Sequence, residues 1–598
     1  SLEFTKKHWL KQIGRVAFRS PDTRFNNWMT WVNFQPMLRR FYGNSFLPQF
    51  DYGRGGRGWR DLWQDRLAQL LSDPESVRPA LVHNFGGVRI DGSNATIIGK
   101  DGTFIADRNN IPRTWMDHGI WPTHTALMYI DQTGDIDFLL QEREYFRDPQ
   151  TFRCRRLDRG WTESYGYALR THKKAVYRGT ILEHMLVQNL TAFFNVGEHN
   201  VCRMEGADWN DGLDMAEHRG ESVAFTAFYA WNLMRLADIV CALACHGHKR
   251  FYIAEELGLL LDRLPGGKPV AYTSARAKTQ RLGRYIERVA GDVSGRKIGV
   301  SVEDLAGDLV DKYCDLAARV RKQEWVRAGA SAFFNGYYDD HGARVEGRRG
   351  RDLRMTLTGQ VFPLMAGIAN DEQVDRVVKS VNQYLRDPKF GGLRLNTDFG
   401  SIQPALGRAF SFAYGEKENG AVFSHMVIMY AYALYLRRRA AAGREAWHTL
   451  YEKAVDSGTS KIFPCLPEYF NGEGRGMYCY LTGSASWLVY LLLTQVYGLR
   501  GDLGDLVIDP QLMPADFDAA GRAGVKTDFA GRTLAVTYVN PEALKPEQYI
   551  VGRIACRGVP VPFERKRTGG VRVDRAQLKA LSVTDVPLEV ELVSKQAG

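Results

Sequence analysis

Within Glu205-Gly-Ala-Asp-Trp-Asn-Asp-Gly-Leu-Asp214 three carboxylates, Asp208, Asp211 and Asp214, surround one aromatic, Trp209, in a segment rich in Gly and Asn. That combination suits sugar chemistry. An indole face stacks on the apolar face of a pyranose, and a carboxylic acid kept protonated by burial can protonate a departing glycosidic oxygen. The same residues also describe an acidic loop around an ordinary core Trp, so the rest of the chain has to decide between the two.

Four further segments carry polar residues in suggestive order. In Asp51-Tyr-Gly-Arg-Gly-Gly-Arg-Gly-Trp-Arg-Asp-Leu-Trp-Gln-Asp65 the glycines let backbone approach a ligand, while Arg54, Arg57, Arg60, Asp61 and Asp65 supply groups that fork onto sugar hydroxyls. It lacks the order of a Walker loop. A second stretch, with Asp91, Asp107 and Arg108, reads as substrate contacts or as plain turn chemistry. Lys417, Glu418 and His425 precede an apolar helix, where a cation and a histidine beside free N–H groups would make an anion site. Thr482, Gly483 and Ser484 stand just ahead of another such helix, either as an oxyanion cradle or as an N-cap. Two anion cradles and one carboxylate–Trp loop suggest phosphate attacking a sugar while one acid assists departure. A hydrolase would need a second carboxylate to activate water.

These loops must be held by something large. The 598 residues, 44% hydrophobic and 25% charged, predict two or three domains, one of them big. Apolar residues recur at helical spacing over 4–15, 28–41, 180–194, 222–245, 302–321, 424–441 and 485–497. The helix from 424 is expected to end near Arg437-Arg-Arg439 and Gly443. Long loops rich in Gly, Asn, Asp and Trp separate the helices, which suggests a helical toroid such as an (α/α)6 barrel over 41–500, after a helical linker at 1–40. From 501 the pattern turns to period-two alternation, as in 532–540 and 588–593, predicting a small C-terminal β domain, sandwich-like and without chemistry, over 501–598.

The net charge of +11 fits an anionic substrate. No dense basic run with interleaved aromatics and no zinc-finger spacing appears, so nucleic acid is set aside and no metal is expected. The basic residues of 263–327 read as a solvated helical face. The eight cysteines show no CxxC pair and read as thiols, pointing to a reducing compartment and so the cytoplasm. No apolar run approaches the ~20 residues that span a bilayer, so no membrane is expected. Ser1-Leu-Glu-Phe4 leaves an upstream segment open.

In combination Gly56-Arg-Gly-Trp-Arg-Asp61, Asp208-Trp-Asn-Asp211, Lys417-Glu-Asn-Gly420 with His425, and Leu481-Thr-Gly-Ser-Ala-Ser-Trp487 resemble the inverting disaccharide and oligosaccharide phosphorylases of glycoside hydrolase family 94, over about residues 1–510. The resemblance implies Asp211 as general acid, Trp209 as the aromatic at the cleaved bond, and Arg54 and Asp61 on that sugar's hydroxyls. It implies Lys417 and Glu418 as further sugar contacts and His425, Thr482 and Gly483 as the phosphate site. Two departures stand out. The chain starts at what resembles the linker after the family's N-terminal β-sandwich, and Asn44-Ser-Phe-Leu-Pro48 stands where the family places an arginine on phosphate. Residues 249–322 look like a charged insertion, a lid or an oligomer contact.

The expectation is therefore reversible phosphorolysis of a β-linked gluco-di- or oligosaccharide to an α-sugar 1-phosphate, with inorganic phosphate as co-substrate and no cofactor. Asp211, with Asp208 beside it, would be raised by burial, and Arg60 and Asp208 would add substrate contacts. A homodimer is implied by the resemblance alone. The alternatives are an inverting hydrolase using Glu418 or Glu468 as base, and an inactive carbohydrate-binding fragment.

Overall fold

In the computed structural model the described residues are 1–42, 57–99, 101–106, 112–479, 481–567, 569–581 and 585–595. Between residues 57 and 497 helices joined by long loops make up the body, and they fall into two kinds. Ile181–Phe194, Thr358–Met365, Ser424–Leu436 and Ser484–Leu491 are buried on nearly every side, as helices apolar all round must be. Val302–Gln323 and Asp371–Tyr384 bury one stripe and turn charge outward. Side-chain caps start several of them: Thr180 accepts from Glu183 N, Ser222 from Phe225 N, and Asn370 forms a capping box with Gln373.

The contacts between buried helices run round a circuit. Ile120–Thr133 packs on Val223–Cys245, which packs on Thr358–Met365, which packs on Ser424–Leu436. Ser424–Leu436 packs on Ser484–Leu491, which meets Arg66–Leu70, and that short helix returns to Ile120–Thr133. Val223–Cys245 is long and apolar enough, by length and composition, to cross a membrane, contrary to the reading that no run approaches that length. Here it lies in the circuit, with Val302–Gln323 along its other side.

The helix beginning at Ser424 stops at Leu436, and a new one runs over Ala440–Val455. Gly443 is therefore not its terminator. It sits inside the second helix because a Cβ there would lie 2.7 Å from the Tyr435 ring, so its role is close approach of two helices.

The C-terminal region forms a six-stranded and a four-stranded sheet. Strands Arg522–Phe529, Arg532–Val539 and Asp585–Ser594 alternate buried and exposed positions. The six-stranded sheet begins with Ala17–Arg19, paired antiparallel with Lys526, Val525 and Gly524. The first forty residues are thus not purely a helical linker: they close one edge of the C-terminal sheet, and edge strands need covering.

The charged stretch is built into the body rather than laid over it. Arg250–Ala254 pairs antiparallel with Lys297–Ser301, and Tyr285 Oη donates to Ile90 O at 2.6 Å. Two of its lysines, Lys278 and Lys312, are fully buried, against the expectation of a solvated face. Lys278 Nζ donates to Asp315 Oδ2 at 2.7 Å, and Lys312 Nζ donates to Asp308 and, at 3.1 Å, to Asp262 Oδ2. Removing one partner of a buried ion pair leaves charge uncompensated, at about 3–5 kcal/mol. Lys312→Met is therefore expected to lower the urea midpoint by that amount of stability, measured by circular dichroism; a midpoint unchanged from the parent would show that the lysine does not hold this segment down.

Candidate functional site

Arg60 lies at the start of the short helix Trp59–Gln64 and reaches two other segments at once. Its Nε and Nη2 donate to the two oxygens of Asp117 at 2.6 and 2.9 Å, Nη1 donates to Asp211 Oδ1 at 2.8 Å, and Nη2 also donates to Asp208 O at 2.8 Å. Asp117 is fully buried and takes a further hydrogen bond from Trp121 Nε1 at 2.7 Å. A fork of this kind fixes geometry as well as energy.

The Asp208–Asp214 loop is shaped from within by its own side chains. Asp208 Oδ1 accepts from Asn210 N, and Asn210 Oδ1 accepts from Gly212 N, two successive turns of the kind Asp and Asn favour. The strand-like segment at Trp115 pairs with Glu205 and Ala207, and Arg153 grips Glu205 with both ends of its guanidinium, at 2.8 and 2.7 Å. Asp214 is tied to Arg408 by an ion pair and by the Arg408 backbone N–H.

Burial falls on the other carboxylate from the one expected. Asp211 keeps 47% of its side-chain surface open, while Asp208 is fully buried with Ser222 Oγ on Oδ2 at 3.0 Å. Burial pushes the Asp208 carboxyl up to about 7, against those hydrogen bonds. Asp208, expected as a substrate contact, instead shapes the loop that presents Asp211.

Across Trp209 lies a second cluster. The Trp209 ring meets the His425 ring edge-on, centroids 5.4 Å apart, and His425 stands in the first turn of Ser424–Leu436. A Cβ on Gly483 would lie 3.1 Å from His425 Cε1 and 3.9 Å from Asp65 Oδ1, so this glycine is what lets the turn approach the ring. Thr482 Oγ1 accepts from Ser484 N at 3.1 Å and is fully buried. Burial first, then Arg39 and Arg60, hold His425 down to about 3, so it is a neutral imidazole; the cation expected beside it, Lys417, lies over the Phe412 ring.

The cation is Arg39, which sequence reasoning missed. It is buried, with Nη1 donating to Leu481 O at 2.5 Å, Nη2 3.1 Å from Asp61 Oδ1 and Nε 2.8 Å from Asp65 Oδ1. A signal existed. Trp28, Val32, Gln35 and Arg39 lie at helical spacing on the buried face of Thr23–Tyr42, and an arginine on an apolar stripe is out of place. Asp117, the other missed residue, carries no such signal in Trp115-Met-Asp-His118. Glu468 joins this cluster: burial pushes its carboxyl up to about 7, opposed by the Thr482 hydroxyl and Arg39 and helped by Asp61 and Glu418.

The remaining expected residues fall as follows. Glu418 is raised by burial and by Asp211, which places it beside the acid loop. Lys417 holds a left-handed backbone, φ 47°, and lays its ammonium over the Phe412 ring at 4.7 Å. Asp91 accepts from Ser93 and Arg153 backbone N–H groups in a buried turn, the turn chemistry that was its alternative reading. Arg54, Asp107 and Arg108 lie outside the described residues.

Comparison with known proteins bears on this arrangement. The family model for the glycosyl hydrolase 94 superfamily catalytic domain matches residues 163–249 and 306–454. Over those residues the chain is similar to the catalytic domain of glycoside hydrolase family 94. It is 23% identical over 597 residues to the 3-O-beta-D-glucopyranosyl-beta-D-glucuronide phosphorylase of Paenibacillus borealis, covering 96% of this chain and 63% of that protein. It is 22% identical over 544 residues to the solabiose phosphorylase of the same organism, covering 88% of this chain and 55% of that protein. It is also 23% identical over 529 residues to the cyclic beta-(1,2)-glucan synthase NdvB of Rhizobium meliloti (strain 1021), covering 86% of this chain and 16% of that protein. The chain thus spans less than two thirds of the length of these relatives. The family 94 match takes in Asp208–Asp214 and Lys417–His425, while Arg60 and Thr482 lie outside it and join the site through the contacts above.

The buried Asp208 makes a thermodynamic prediction. The folded chain holds its proton up to about pH 7, whereas an unfolded chain holds it only to about pH 4. Unfolding in that window releases the proton, so stability falls as pH rises from about 4 to about 7, by at most about 4 kcal/mol from this group. Asp208→Asn, which mimics the protonated form, is expected to flatten that part of the pH dependence of the urea midpoint. An identical slope in the variant would mean that Asp208 is ionised throughout.

Proposed function

We propose that this chain is an inverting glycoside phosphorylase that cleaves a β-linked gluco-di- or oligosaccharide with inorganic phosphate, giving an α-sugar 1-phosphate, and runs in reverse. It would act as a glycosyltransferase-type enzyme on an (α/α)6 barrel over residues 41–500, with the β region from 501 packed against it. The closed circuit of buried helices supports the barrel. The relatives' names support the reaction class.

One observation carries the reading: Trp209 touches His425, while its own loop delivers Asp211 to Arg60. An inverting displacement needs a proton donor and a nucleophile on opposite faces of one sugar ring. In this reading the pyranose lies against Trp209, Asp211 protonates the leaving oxygen, and phosphate beside His425, Thr482 and Gly483 attacks the anomeric carbon from behind. Arg60 fixes the carboxylate's direction before the sugar arrives, so that orientation is already provided for. Phosphate brings its own charge, so the step needs no further cofactor. Glu418 and Lys417 would bind the sugar from the flank, as would Arg54 and Asp61. A homodimer, by resemblance, and a cytoplasmic location, from the thiol reading of the cysteines, are part of the proposal.

A second reading has one observation in its favour. Glu468, buried and raised to about 7, has the properties of a base for water in an inverting hydrolase. Incubation of the protein with β-glucosides of differing linkage, with and without phosphate, separates the two. A phosphorylase releases sugar 1-phosphate only in phosphate buffer, and a hydrolase releases free sugar in either. In the phosphorylase case Asp211→Asn should keep its circular dichroism and melting curve and lose about 10²–10⁴-fold in turnover. Near-parental phosphate release from glucose 1-phosphate and glucose acceptors by that variant would remove Asp211 from the role.

A further inference from the structure

Around the Thr482 turn three buried polar atoms have no hydrogen-bond partner among the described residues: Glu468 Oε2, His425 Nε2 and Ser424 Oγ. Each belongs to a side chain more than nine-tenths buried. They are neighbours by construction. Ser424 N donates to Glu468 O at 2.9 Å, His425 follows Ser424 in the chain, Gly483 stands against the His425 ring, and the Thr482 hydroxyl faces the Glu468 carboxyl. Polar atoms are rarely left unpaired in a protein interior unless something else meets them.

The three are not alike. A hydroxyl and a neutral imidazole can both donate. The Glu468 carboxylate only accepts. A tetrahedral anion stripped of all its protons offers acceptors alone, so it would satisfy Ser424 and His425 and stand lone pair to lone pair against Glu468. Inorganic phosphate keeps at least one proton across the neutral range; sulfate keeps none. We propose that Glu468 reads the proton on the incoming oxyanion, accepting a hydrogen bond from a protonated phosphate oxygen, so that the pocket takes phosphate or arsenate and rejects sulfate. This rests on the phosphorylase reading and adds to it the protonation state of the nucleophile.

The surroundings fit that role. The charged groups acting on Glu468 are Arg39, which favours its ionised form, and Asp61 and Glu418, which oppose it; Arg39 is itself ion-paired with Asp61 and Asp65. His425, at the helix start, is neutral. Burial, Asp61 and Glu418 keep the Glu468 proton available up to about 7. Below that pH Glu468 can itself donate, and sulfate is admitted. Above it sulfate must bring a proton with it, so its affinity falls about tenfold per pH unit.

Calorimetric titration of the whole chain with sodium sulfate and with sodium phosphate, in two buffers of different ionisation enthalpy, counts protons without any turnover. At about pH 8 the parent protein is expected to take up about one proton per sulfate bound, and to bind phosphate at least tenfold more tightly. Glu468→Gln should bind sulfate with no proton uptake and with an affinity flat in pH. Sulfate binding by the parent without proton uptake, or uptake that persists in Glu468→Gln, overturns the assignment while leaving the phosphorylase reading standing. Failure of both ions to bind the parent at any pH would instead remove the anion pocket, and the proposed function with it.

Discussion

The guanidinium of Arg60 is the point on which the site depends. Two segments far apart in the chain, one carrying Asp117 and the other both Asp211 and the Asp208 carbonyl, converge on one buried cation. Such a cation is tolerable only because Asp117, itself fully buried, meets it with both oxygens and is held in turn by the Trp121 indole. The direction of Asp211 follows from this. An aspartate on a Gly-rich loop has no preferred pointing of its own; here the loop is pinned from inside by the turns at Asp208 and Asn210, and its acid is aimed from outside by Arg60.

A similar balance governs the opposite side of Trp209. A histidine at a helix start and a Thr-Gly turn suggest a positive pocket, yet the histidine is neutral, and the cations acting on it among the described residues are Arg39, shared between Asp61 and Asp65, and Arg60, held by Asp117 and Asp211. The described pocket is therefore not strongly cationic. Under the phosphorylase proposal its capacity for an anion would come from hydrogen-bond donors in a dry setting, where each counts for more than in water, with Arg39 offsetting its own carboxylates. Asn44, where the resemblance would place an arginine, lies outside the described residues, and Arg39 approaches the same turn from the end of the preceding helix.

What the sequence reveals and what it hides divide along one line. The acid loop, the Lys417–His425 segment and the Thr482 turn are legible because their chemistry is local: residue types, spacing and a following apolar helix. Arg39 and Asp117 are not, because their roles exist only once segments far apart in the chain are brought together; Arg39 reaches Leu481 across 442 positions. Helices were legible from apolar period, but Gly443 was not, since a glycine that ends a helix and one that admits a neighbouring ring look the same in sequence. The strand Ala17–Arg19 is three residues long and acquires meaning only from the C-terminal strand beside it. The buried lysines Lys278 and Lys312 were hidden in a charged run for the same reason: their partners are named by packing, not by composition.

The misplacement of burial between Asp208 and Asp211 carries the most physical content. Two carboxylates three residues apart invite the assumption that both share one environment. In this loop they do not: the turn at Asn210 sends one side chain inward to Ser222 and the other out to Arg60. The inward group titrates near neutrality and faces no substrate, whereas Glu468, on the far side of Trp209, titrates in the same range and faces the anion turn. A neutral-range transition in stability would thus draw on both residues, whereas one in ligand binding would draw on Glu468, whose unpaired oxygen lies beside the Thr482 turn.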